Sequence, residues 1–93
     1  MIIGAVELDL LIPGSRSLKE KRRVINSLKQ LLRNRYNCSV AETEYKDLWR
    51  RARLAVCVVS DETAHVQQQL EHIIRFAGTN PHAELVDHHI EFY

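Results

Sequence analysis

The chain predicts an α+β domain, a two-layer sandwich in which two helices pack on one face of a four-stranded antiparallel sheet. Three observations carry that expectation. Apolar residues alternate with polar or small ones near both ends of the sequence, the period-two pattern of half-buried strands. Two internal stretches repeat apolar residues every three or four positions, as helices with one core-facing stripe do. Between them, the valine-rich run Leu54–Ser60 reads as a central strand. With 93 residues, 45% hydrophobic and 27% charged, the chain fills one domain over 1–93.

The first strand is Ile2–Ile12. Ile2, Gly4, Val6, Leu8, Leu10 and Ile12 share its core face; Ile3, Ala5, Glu7, Asp9 and Leu11 share the other. Pro13-Gly14 ends it. Residues 15–35 then read as one long helix, with Ser17 as N-cap and Glu20 completing a capping box. Its apolar stripe is Leu18, Val24, Ile25, Leu28, Leu31 and Leu32. Lys21 falls on that stripe, one turn before Ile25 and Leu28. Its stem is expected to pack while its ammonium reaches Glu7, Asp9 or Glu42.

Tyr36-Asn37 is the next turn, and Cys38–Tyr45 a second strand. Lys46–Arg53 reads as a polar connection with Leu48 and Trp49 as anchors, the Trp49 ring plugging an edge of the core. After Leu54–Ser60, Ser60 or Asp61 caps a second helix with the stripe Val66, Leu70, Ile73, Ile74 and Ala77. Gly78 stops it at C′, and Pro81 prevents continuation. The last strand is Ala83–Tyr93, with Val86, His88, Ile90 and Phe92 on one side and Asp87, His89, Glu91 and Tyr93 on the other.

This order is the split βαβ unit repeated, the ferredoxin-like βαββαβ plan with expected sheet order 4-1-3-2. The sheet face away from the helices carries Ile3, Ala5, Leu11 and Tyr93 among several acids. It is too apolar to be idle and too acidic for nucleic acid, so a homodimer is expected, through this face or through the edge strand Cys38–Tyr45.

Charge is unevenly distributed although the net is only +1. Residues 15–35 hold eight bases against Glu20 alone, a local +7 that leaves −6 for the rest. The stripe turns Lys19, Arg22, Arg23 and Arg33 outward together, which predicts a basic docking face. Cys38 and Cys57 lie in separate apolar runs without CxxC spacing and read as reduced core thiols, which implies a cytoplasmic setting. The first residues form a strand-like stretch with two acids, unlike a secretory leader, and no run has the ~18 apolar residues of a membrane span.

Three segments carry a resemblance. They are S-L-K-x-K-R at Ser17 to Arg22, N-x-S-V-A-E at Asn37 to Glu42, and D-L-W-x-R-A at Asp47 to Ala52. In this register the chain resembles the YlxP-like family, a bacterial domain-of-unknown-function family of small ferredoxin-like proteins. The resemblance singles out Ser17, Lys21, Glu42, Asp47 and Trp49 as motif residues. It implies the fold and a genomic neighbourhood of translation and ribosome-maturation genes. It implies no activity and no catalytic residue.

No catalytic residue, cofactor or metal is expected. There is no Ser-His-Asp arrangement, P-loop or HExxH motif. His88 and His89 point to opposite faces of a strand, and His65 and His72 lie two helical turns apart, ~10 Å along the axis. An acylphosphatase-like enzyme would need a phosphate-cradling loop, and PGSRS lacks its glycine bracket. A small-ligand regulatory domain of the ACT type shares the plan, with Asp9 and Pro13-Gly14 near its ligand loop. The expectation is a non-enzymatic module binding structured RNA or a ribosomal particle through Arg16, Lys19, Arg22, Arg23 and Arg33, with Arg50 and Arg51 beside them. RRM-like binding on the sheet is excluded, because the first strand has no aromatic and Leu54–Ser60 lacks the RNP pattern.

Overall fold

In the computed structural model, which describes residues 1–93, six elements follow in the expected order. They are β1 (Ile2–Leu11), α1 (Leu18–Arg35), β2 (Ser39–Glu44), β3 (Arg51–Ser60), α2 (Thr63–Ala77) and β4 (Glu84–Phe92). The four strands form one antiparallel sheet in the order β2-β3-β1-β4, which read from the β4 edge is 4-1-3-2. Both helices cover one face, α2 across β1 and β3, and α1 toward β2.

The alternation of β1 sets the core. Val6, Leu8 and Leu10 are fully buried and meet Val56, Leu54 and Ala52 of β3 in register. Ile25, Leu28 and Leu32 of α1 and Val66, Leu70, Ile73 and Ala77 of α2 close over them. Gly4 shows how tightly α2 lies on β1. A Cβ there would collide with Val66 Cγ1 and sit 2.9 Å from Leu70 Cδ1, so only glycine lets the helix approach.

Local chemistry explains most boundaries, with some corrections. α1 begins at Leu18 rather than Ser15, and Ser17 is its N-cap, accepting the Glu20 amide at 3.1 Å. The return bond of the capping box is displaced by one residue. Glu20 Oε2 accepts the Arg16 amide at 2.6 Å instead of the Ser17 amide. Leu31 does not belong to the buried stripe; it is 44% exposed, and Lys21 takes a place in the buried row instead. β3 starts at Arg51, three residues earlier than its apolar run, because pairing with Leu11, Leu10 and Asp9 of β1 extends the ladder over polar residues.

α2 has no side-chain cap from Ser60 or Asp61; Glu62 is the N-cap residue and makes no capping bond. Gly78 is the C-cap, not C′, and keeps right-handed angles, so no left-handed glycine is needed there. In β4 a bulge opposite the Asp9–Leu10 step shifts the register. Leu85, not Val86, therefore pairs with Leu10 on the core side, and Val86 is exposed. No helix is long and apolar enough to cross a membrane.

Candidate functional site: a clamped turn beside a basic helix

Two of the three segments that carry the resemblance meet at Lys21, which also reaches the two residues just before the third. Its place among Ile25, Leu28 and Leu32 drives the stem inward, and its side chain is fully buried. The ammonium lies 2.6 Å from Glu42 Oε2, so Glu42 is its partner among the three carboxylates considered. That oxygen is buried and accepts nothing else, which leaves the pair dependent on its own geometry. Glu42 faces the helices because it pairs with Leu54, a core-facing residue of β3. Lys21 Nζ also donates to the Tyr45 carbonyl at 2.8 Å, with a longer contact of 3.5 Å to that of Lys46.

These bonds fix the turn between β2 and β3. Tyr45 has φ 62°, the one non-glycine residue in the left-handed region, which directs its carbonyl toward Lys21. The same carbonyl accepts the Leu48 amide at 3.0 Å and closes the turn. Further along, Arg50 Nε donates to the Ser15 carbonyl at 2.9 Å, and the Arg50 carbonyl accepts the Ile12 amide at 2.9 Å. The turn over 45–50 is thus tied at one end to the buried ammonium and at the other to the β1–α1 connection.

Trp49 overturns an expectation. It plugs no part of the core; it is 53% exposed, and Leu48 beside it is half exposed. The short turn holds both outside the two layers, where Asp47 is also exposed. Trp49 stacks on no aromatic or cationic group, whereas Tyr45 lies under Arg51, 4.1 Å from guanidinium carbon to ring centre.

The basic residues divide into two sets. Arg16, Lys19, Arg22 and Arg23 are exposed on the outer side of the first half of α1 and form no ion pair. The others expected to join them are engaged within the protein. Arg33 is exposed but donates to the Val40 carbonyl at 3.0 Å, tying α1 to β2. Arg50 holds Ser15, and Arg51 covers Tyr45. Sequence spacing gave direction around the helix but not the reach of a long side chain to a carbonyl on another element.

The open sheet face has its own ion pair. Arg53 makes two bonds to Asp9, 2.7 and 3.2 Å long, and lies 3.9 Å from Glu7. The Arg53 hydrogen bond holds the Asp9 carboxyl below the ordinary carboxylate range. Toward the chain end, hydrogen bonds from Tyr93 and His89 lower Glu91, and Glu91 raises the Tyr93 hydroxyl. No group of three or more His, Cys, Asp or Glu side chains is placed to hold a metal ion.

A groove of about 780 Å³ opens beside the start of α1, between Pro13–Ser15 and the α2–β4 connection. Arg23 and Glu20 stand on one wall and His82 and Glu84 on the other, over a floor that includes Ile12, Val24 and Leu85.

Fold and site together define a small ferredoxin-like domain with a lysine-clamped turn next to a basic helix. A family model described as "Protein of unknown function (DUF503)" matches residues 3–90, and the chain belongs to that family. It is 30% identical over 83 residues to the uncharacterized protein YlxP of Bacillus subtilis (strain 168), an alignment covering 89% of this chain and 90% of the relative.

Proposed function

We propose that this protein is a non-enzymatic module that binds structured RNA, on a ribosomal particle in the cytoplasm, through the first half of α1. One observation supports this most: Arg16, Lys19, Arg22 and Arg23 stand exposed with Glu20 as the single acid among them, and none of the four forms an ion pair. On a purely solvated helix, bases and acids usually mix in i, i+4 pairs. A row of cations without ion pairs attracts phosphates and releases their counterions on binding.

Four phosphate contacts imply a slope of log affinity against log salt of about −3. Arg22→Ala with Arg23→Ala should flatten that slope by about 1.5 units. Both side chains are exposed, so the thermal midpoint should hold. Filter binding of ribosomal RNA between low and moderate salt reads the slope; an affinity indifferent to salt or to both substitutions sinks the proposal.

The groove beside Arg23 supports a second reading, a small-ligand domain of the ACT type. That reading expects thermal stabilisation by a small anion or amino acid, and no RNA binding. Under either reading the protein self-associates through the open sheet face. The apolar patch of Ile3, Ala5, Ala55, Cys57 and Val59 on that face supports this, since exposed apolar surface marks contacts.

A further inference from the structure

We infer that Trp49 is the base-stacking element of this protein, receiving an unpaired RNA base while the neighbouring cations of α1 hold the flanking phosphates. The inference rests on the RNA-binding reading and adds what that reading lacks, an element that distinguishes single-stranded from duplex RNA.

Four observations carry it. The first is exposure without a structural task. Trp49 is 53% exposed, lies outside the core, and its indole makes no hydrogen bond and no stacking contact. Burying a large aromatic is among the most favourable things a small domain can do with it. Here the turn instead holds the ring out.

The second is rigidity. The turn is closed by Leu48 N–H to the Tyr45 carbonyl, anchored by the buried Lys21 ammonium on that same carbonyl, and tied by Arg50 to Ser15. A ring presented on a clamped turn loses little conformational freedom when a ligand covers it, so stacking is realised as affinity. The clamp explains why a fully buried charge is placed under an exposed turn.

The third is position. The Ser15 carbonyl that receives Arg50 belongs to the residue before Arg16, and Arg50 is the residue after Trp49. That hydrogen bond ties the turn that carries Trp49 to the segment just before Arg16. Lys46, in the same turn, adds a further exposed cation without an ion pair, against Asp47 as the turn's single acid.

The fourth is chemistry. An aromatic face beside lysines and arginines is the combination that single-stranded nucleic acid uses, since every base offers a π-face and every linkage a phosphate. A duplex buries those faces in its own stack and offers only phosphates.

The test uses the fact that Trp49 is the sole tryptophan of the chain. Two signals are followed in one titration: the anisotropy of a fluorescein-labelled 12-nucleotide RNA, which reads binding, and tryptophan emission, which reads stacking. The probes are single-stranded oligoadenylate and a blunt duplex of the same length. The single strand should raise anisotropy and quench Trp49; the duplex should bind through phosphates and leave emission unchanged. Trp49→Ala should weaken single-strand binding about ten- to hundredfold with the salt slope kept, and Trp49→Phe should recover most of the loss. Unchanged circular dichroism melts show that both variants fold, as expected for an exposed ring.

RNA binding with unaltered emission and wild-type affinity in Trp49→Ala would overturn the stacking role and leave the basic helix as the binding element. Failure of both RNAs to bind at low salt would remove the RNA reading itself. Emission that shifts with protein concentration in the absence of RNA would assign the ring to a protein contact and overturn the inference.

Discussion

The two faces of the sheet each hold an ion pair, and the pairs differ in kind. On the covered face, Lys21 and Glu42 meet at 2.6 Å with the lysine fully buried. On the open face, Arg53 grips Asp9 with two hydrogen bonds. The two carboxylate side chains are equally exposed, at 17%; the difference is that Lys21 and the Glu42 Oε2 it meets are buried, whereas water reaches Arg53. The arginine pair has the better geometry, yet the lysine pair has the greater consequence. Removing one member of a buried pair strands a charge in a poor solvent, whereas an exposed partner is simply rehydrated. The lysine also satisfies two carbonyls, so its loss unfastens a turn as well as a charge.

The largest expected effect tests this difference directly. Lys21→Met should lower stability by about 3 kcal/mol or more, because Glu42 is left facing the layers and the Tyr45 carbonyl loses its donor. Chemical denaturation reads it, and an unchanged midpoint would reject the buried pair. Adding Glu42→Leu should restore much of the loss, since the stranded carboxylate is the main cost.

A smaller effect is expected on the other face. Asp9→Asn should cost at most about 1 kcal/mol, the range of a solvent-screened pair. The Asp9 carboxyl titrates below its ordinary value in the folded protein, so its contribution is complete above about pH 4 and disappears as pH falls through the lowered value. Urea midpoints of wild type and Asp9→Asn should therefore differ at pH 7 and converge in acid. A constant gap across that range would show that Arg53 does not hold Asp9 low.

The smallest perturbation is chemical labelling. Cys57 is not the core thiol its apolar run suggested; register puts it on the open face, exposed, opposite Ala5 and Ser39. Cys38 is half-buried beneath the end of α1, its thiol directed at the Leu32 carbonyl, and burial pushes its pKa up. Alkylation at pH 8 should modify Cys57 first. If a second copy covers the open face, Cys57 should become protected as protein concentration rises while Cys38 stays unchanged. Labelling of Cys57 independent of concentration would show that no second copy covers this face.

Period and punctuation along the chain determine much of this protein. The alternation of Ile2 to Ile12 fixed which side chains of β1 enter the core, because a strand has only two faces. The stripe from Ile25 to Leu32 fixed the facing of α1 closely enough to place a lysine inside it. Ser17 marked the helix start, since a hydroxyl there satisfies an amide that the helix cannot.

What needed tertiary structure was every choice between partners far apart in the chain. Glu7, Asp9 and Glu42 were all candidates for Lys21; strand register turns Glu42 toward the helices, while Glu7 and Asp9 lie on the other face of β1, where Asp9 goes to Arg53. The β4 bulge moved Val86 off the core side, a shift invisible to alternation because it is set by pairing with β1. Trp49 looked like core because large aromatics usually are. Three-dimensional ties decided otherwise, for Lys21 and Arg50 close the turn before its ring can reach the interior. Local interactions have fixed spacing along a chain and can be read from it. Long-range hydrogen bonds depend on which elements the fold has already brought together, and that is a property of the packed molecule.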